Sequence, residues 1–137
     1  MAWWEKILDK IKVGNRLQTP GRGLMSYRSM PFVIIEINDS EMTIISGSSR
    51  ILLEKICFVA VEEAFRENPL LWLRAASLHE TDPLENSVDG LVRTATGSKL
   101  ARGNYISSIL VHCGLVKYSM QGNRKGIQLP RDGDLGN

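Results

Sequence analysis

Apolar positions along this chain recur at two periods, and the changes of period divide it into elements. Residues 2–12 set Trp3, Trp4, Ile7, Leu8 and Ile11 at helical spacing with Glu5, Lys6, Asp9 and Lys10 between them, which predicts an amphipathic helix closed at Gly14. The adjacent tryptophans read as a packing anchor rather than a ligand platform. Residues 16–28 hold Thr19, Pro20, Gly21, Gly23 and Ser26 and read as an irregular loop. The period then shortens. β-Branched residues at 31–37, the turn formers Asn38-Asp39-Ser40 and a second β-rich run at 41–46 predict a hairpin, and Gly47-Ser48-Ser49 leads to a third strand at 50–53. A helix is expected at 55–67, with Ile56, Val59, Ala60 and Ala64 as its buried stripe and Glu62, Glu63 and Glu67 off it.

Asn68-Pro69 marks a boundary, because proline cannot continue the preceding helix. Residues 70–79 read as a helix opened by Pro69, although Leu71, Leu73 and Ala75 also alternate as a strand would. Asp82-Pro83-Leu84-Glu85 carries a capping-box signature, and Leu84, Val88, Leu91, Val92 and Ala95 form the stripe of the helix it opens. Thr96-Gly97-Ser98 stops it. A further helix at 102–113 sets Ile106, Ile109, Leu110 and Cys113 on a core face and ends at Gly114. Turning from that face leaves Asn104 and Ser108 outside, with Ser107, Val111 and His112 at its edges. Residues 115–120 and 127–129 read as strands joined by a turn at 121–126 that exposes Arg124 and Lys125. The expected fold class is α+β: a helix-plus-meander unit at 1–68, a second unit at 69–130 and a polar tail at 131–137.

Composition narrows the class. The chain has 137 residues, 43% hydrophobic and 23% charged, values of an ordinary globular domain that argue against disorder and coiled coil. No apolar run is long enough to span a bilayer and the start lacks a secretory pattern, so the chain reads as soluble and cytoplasmic. Cys57 and Cys113 lie in apolar runs without zinc or disulfide spacing and read as buried structural thiols. The net charge of +2 hides an uneven distribution. Residues 1–68 carry nine basic and nine acidic side chains, whereas residues 90–131 carry seven basic ones and no carboxylate. A one-sign stretch of this kind is the footprint of a polyanion-binding surface. Catalytic sets are missing: His79 and His112 are the only histidines, and adjacent helix positions point His112 and Cys113 about 100° apart. Glu62-Glu63 reads as a solvated helix face, Asp132 and Asp134 as part of the tail, and Gly21-Arg22-Gly23 lacks the ending of a phosphate loop. No enzyme, cofactor, metal or small-molecule substrate is expected.

With the capped helix at 82–95, the helix at 102–113, the Gly114-Leu115-Val116 exit and the basic hairpin around Gly122 to Gly126, the C-terminal half resembles the winged helix-turn-helix superfamily in its layout. That resemblance implies a recognition helix at 102–112 lying in the major groove of duplex DNA and a wing carrying Arg124 and Lys125 against the flanking backbone. Phosphate contacts would come from Lys99, Arg102, Lys117, Arg124 and Lys125, and base reading from Asn104, Ser107 and Ser108. A small transcription regulator, homodimeric through the N-terminal unit, is the simplest version. Winged helices also act as protein-docking modules, which is the alternative expectation.

Overall fold

The computed structural model describes residues 2–21, 29–75 and 86–131. It is a mixed α+β fold of four helices and two antiparallel sheets among those residues. Helix α1 (Trp3–Lys10) anchors on its tryptophans: Trp4 stacks at a tilt on Phe58 at 5.5 Å between ring centroids and donates from Nε1 to Asp39 O at 2.8 Å. Trp3 meets Phe65 at 6.0 Å, and its backbone N–H donates to Glu62 Oε1. Both rings are thus used as packing anchors inside the chain.

Four strands follow in meander order: β1 (Arg16–Gln18), β2 (Pro31–Ile37), β3 (Glu41–Ser46) and β4 (Ser49–Glu54). The hairpin and third strand lie where the β-branched runs place them. β1 corrects the expectation of a loop over residues 16–28: Arg16, Leu17 and Gln18 pair with Val33, Phe32 and Pro31. Leu17 is buried between two exposed neighbours, an alternation too short to stand out from the turn formers after it. The rest of the expected loop, residues 22–28, lies outside the described residues.

Helix α2 (Lys55–Glu67) matches its expected span and buries a different face. Cys57, Phe58, Val61, Glu62 and Phe65 are inside, whereas Ile56 is 50% exposed and Val59, Ala60 and Ala64 are half-buried. Stabilisation scales with apolar area removed from water, so the face holding Phe58 and Phe65 displaces the face holding Ala60 and Ala64. Glu62 is carried inside because its carboxylate accepts from Trp3 N and pairs with Arg66 at 2.8 Å.

The helix expected at 70–79 is corrected in its described part. Residues 68–71 form a turn, Leu71 N donating to Asn68 O, and β5 (Leu73–Arg74) follows as a short strand. Residues 76–85, including the capping box at Asp82 to Glu85 and the first position of its stripe, lie outside the described residues. The helix expected at 82–95 is corrected in its described part: Asn86 and Ser87 are not helical, and helix α3 (Val88–Thr96) starts after Ser87, whose hydroxyl caps it by accepting from Gly90 N at 2.9 Å, and ends on Gly97 at φ +69°. Helix α4 (Gly103–His112) precedes β6 (Lys117–Gln121) and β7 (Arg124–Gln128), with β7 central in the order β5-β7-β6. The core is continuous across the Asn68-Pro69 boundary, running from Trp4 through Phe58 and Val92 to Ile127.

Candidate nucleic-acid interface

α4 is held inside the fold. It has no charged residue from Gly103 to Val111 and buries Gly103, Ile106, Ser107, Ser108, Ile109 and Leu110. Ser107 is fully buried, its Oγ within reach of the carbonyls of Ala75 at 3.0 Å and Gly103 at 2.8 Å. Ser108 is 6% exposed and donates to Gln18 O of β1 at 2.6 Å. The expectation of Ser108 on the outer surface with Ser107 at its edge is therefore corrected. A small hydroxyl lets neighbouring backbone approach closely and supplies the hydrogen bond that its carbonyl would otherwise lack. Asn104 is half-buried, its Oδ1 accepting from Tyr105 N at 3.0 Å, and Tyr105 packs edge-on against Phe32 at 5.2 Å.

Arg102 is corrected as well. It is 3% exposed, and its guanidinium donates to Leu52 O at 2.8 Å, to Thr96 Oγ1 at 3.2 Å and to Glu54, with which it forms an ion pair. The start of α4, where free backbone N–H groups would attract a phosphate, is filled by the protein's own Asp89. Its Oδ1 accepts from Arg102 N at 2.9 Å and Gly103 N at 3.0 Å, and its Oδ2 pairs with Arg93 at 3.0 Å. Gly103 has no room for a side chain, since a Cβ there would sit 2.7 Å from Asp89 N.

The hairpin separates the two cations expected at its tip. Arg124 and Lys125 belong to strand β7, and the connecting turn is Gly122-Asn123. Neighbours along a strand face opposite ways. Lys125 shares the inner face with Ile127, donates from Nζ to Pro20 O at 2.9 Å and lies 5.3 Å from the centroid of Tyr118. Burial lowers its pKa. Arg124 takes the outer face and is exposed; Lys99 is exposed in the connection after α3, and Lys117 is half-buried on β6.

Register assembles the rest of the outer face. Arg74 of β5 stands opposite Gly126, Gly126 opposite Ser119, Arg124 opposite Gln121 and Lys117 opposite Gln128. Each of the three strands therefore contributes one cation, Arg74, Arg124 and Lys117, to a face with no carboxylate on its strands. Trp72 lies across this face: a Cβ on Gly126 would fall 2.0 Å from its ring, and its Nε1 donates to Ser119 O at 3.4 Å. Arg74 and Trp72 escape detection when 70–79 is read as a helix. The alternation of Leu71, Leu73 and Ala75 was the signal that puts Trp72 and Arg74 together on the opposite side.

Among the described residues no group of three metal-ligating side chains exists, and no helix is long and apolar enough to cross a membrane. Cys57 is buried and Cys113 half-buried, both free; burial raises both thiols, Cys113 to about 11 against a weaker lowering by Lys10. Burial also pushes the Tyr118 phenol up, against a hydrogen bond with Ser108. Comparisons of the chain with protein-family models, curated proteins and solved structures find no match.

Proposed function

We propose that the protein binds duplex DNA without chemistry, meeting it with the outer face and hairpin end of the β5-β7-β6 sheet. The observation that carries this reading is the row of cations from three adjacent strands, Arg74, Arg124 and Lys117, on a face whose strands carry no acidic residue. The order α2, β5, α3, α4 and then a hairpin whose second strand pairs with β5 supports the winged-helix resemblance, in which such a hairpin is the wing. The contact set differs from the sequence expectation: Arg102, Ser107, Ser108 and Lys125 hold the fold together, and Arg74 joins Lys99, Lys117 and Arg124 as phosphate partners. A regulator in a reducing cytoplasm, with Cys57 and Cys113 free, fits this reading.

Fluorescence anisotropy of a labelled random duplex over a range of salt concentrations tests it. Each phosphate contact contributes about 0.9 to the log–log salt slope, so Arg74→Ala with Arg124→Ala lowers that slope by about two. Absence of binding at low salt, or an unchanged slope in the double variant, overturns the reading.

The cover that β1 places on α4 favours a second reading, a winged helix used for protein docking. The groove between α2 and α3, about 580 Å³ and lined by Ala60, Ala64, Leu73 and Leu91 with Glu63 and Glu67, is where such a partner would sit. Dimerisation through the N-terminal unit draws support from Ile45 and Leu52, both exposed on its sheet. A monomeric mass in sedimentation at high protein concentration removes the dimer.

A further inference from the structure

The outer sheet face described above continues into a polar pocket of about 510 Å³ between the β5-β7-β6 sheet, the turn at residues 68–71 and Asn86 ahead of α3. Trp72, Arg74, Asn68, Asn86, Gln121 and Arg124 line it. Its floor is unusual for the surface of a small sheet. A tryptophan ordinarily buries its ring in the core; here Leu73 takes the core side of β5 and Trp72 is laid over the strands on the outside. It can lie there because position 126 is glycine: any Cβ would collide with the ring atoms at 2.0 to 2.4 Å. Arg74 is in register with Gly126 and Arg124 lies two residues along the same strand, so both guanidiniums share the face that the indole covers.

Among the described residues no hydrogen bond or ion pair engages the side chain of Arg74 or Arg124. Asn86 is held at φ +57°, the one non-glycine residue with positive φ among those described, and its carbonyl accepts from Arg74 N at 2.8 Å. A flat aromatic surface, two cations whose donors no described residue engages and three carboxamides in one concavity match three parts of one ligand. The ring stacks on a base, the guanidiniums take a phosphate, and the carboxamides can both donate to and accept from a base edge.

We propose that this pocket binds a nucleotide whose base is unpaired, stacked on Trp72 with its phosphate between Arg74 and Arg124. The inference rests on the reading that this face meets nucleic acid and adds what a duplex alone does not require, an aromatic contact with a base turned out of its stack. The same chemistry has two sources, a base of a nucleic-acid strand or a free mononucleotide.

Tryptophan fluorescence of the full chain, titrated with a short oligothymidylate and separately with thymidine monophosphate, tests it. Trp72→Phe, read against the parent, assigns the signal, because Trp3 and Trp4 remain in both. The expected result is quenching of Trp72 emission by the oligothymidylate, lost in Arg74→Gln with Arg124→Gln, two changes at side chains that bond nothing among the described residues. Trp72→Leu weakens oligothymidylate affinity by at least about fivefold, the lower end of what one base–aromatic stack contributes. Because the leucine variant removes the cover of Gly126, its far-UV spectrum is compared with the parent, and the arginine pair decides if it unfolds. Quenching by the monophosphate at similar concentration assigns the pocket to a free nucleotide; quenching by the strand only assigns it to nucleic acid. Duplex binding without any Trp72 quenching overturns this inference and leaves the proposed function standing, whereas no binding of duplex or strand overturns both.

Discussion

Arg102 and Arg124 have the same side chain and opposite surroundings. The Arg102 guanidinium is enclosed and bonded to β4 and to Thr96, so its charge is spent within the protein; that of Arg124 is exposed and makes no hydrogen bond or ion pair among the described residues. Removing one partner of a buried ion pair strands the other groups, at about 3 kcal/mol or more for a fully buried pair, and less here because Glu54 is a third exposed. Arg102→Ala therefore lowers stability by about 2 kcal/mol in chemical denaturation. If the protein binds DNA as proposed, the salt slope of the folded variant stays that of the parent, which separates a fold-holding arginine from one proposed to hold a phosphate. Cys113 gives a second expectation at this scale. With its thiol raised to about 11, it is almost wholly protonated at pH 8. Only thiolate reacts, and the greater nucleophilicity of a high-pKa thiolate offsets part of its scarcity, so iodoacetamide modifies it about tenfold or more slower than a free cysteine of ordinary pKa. The linkage sign follows: the unfolded chain loses its thiol proton first, so stability is present below about pH 9 and is lost as pH rises towards 11. Alkylation at the rate of an unfolded control would remove the basis for both statements.

Secondary structure was legible wherever one period dominated a long run. The β-rich stretches became β2, β3 and β4, and the helical ones α1, α2 and α4. What a helix does with its faces was less legible, because polarity and size compete. In α2 the deciding quantity is apolar area, and Phe58 with Phe65 outweighs the alanines. In α4 the two serines look solvent-facing by polarity, yet the absence of any charge from Gly103 to Val111 is the mark of a helix packed on most sides. The candidate site was half legible. The acid-free stretch pointed to Lys99, Lys117 and Arg124, whereas Arg74 and Trp72 needed the strand register that only pairing with β7 provides. The contact of α3 with the start of α4 yields a prediction of its own. Asp89 approaches Gly103 so closely that a methyl group would press on its backbone N at 2.7 Å and Cα at 2.9 Å. Neither backbone can yield without breaking the Asp89 hydrogen bonds. Gly103→Ala costs about 2 kcal/mol of stability, although alanine is the better helix former. A variant as stable as the parent by urea titration would mean that the α3–α4 contact is looser than this.

At the scale of the molecule, the two sheets are separate and the core is not. Three polar ties cross between the N-terminal sheet region and the C-terminal elements: Ser108 to Gln18, Arg102 to Leu52 and Glu54, and Lys125 to Pro20. Phe32 against Tyr105 adds an aromatic one, and α2 packs on α1 with one side and α3 with another. Either half alone would expose much of the apolar surface that now covers the other, including Phe58, Phe65 and Val92. Unfolding should accordingly be a single cooperative event. With Trp72→Phe as the background, Trp3 and Trp4 report on the N-terminal packing and far-UV ellipticity on the helices of both halves, so the two urea transitions coincide in midpoint and slope. Ser108→Ala, which removes one tie and leaves Gln18 O without its donor, shifts both curves together by about 1 to 2 kcal/mol. If the tryptophan signal moved and the ellipticity did not, the halves would be independent units. The cover of α4 by β1 would then be a contact that DNA could displace, and the buried serines would return as candidates for reading bases.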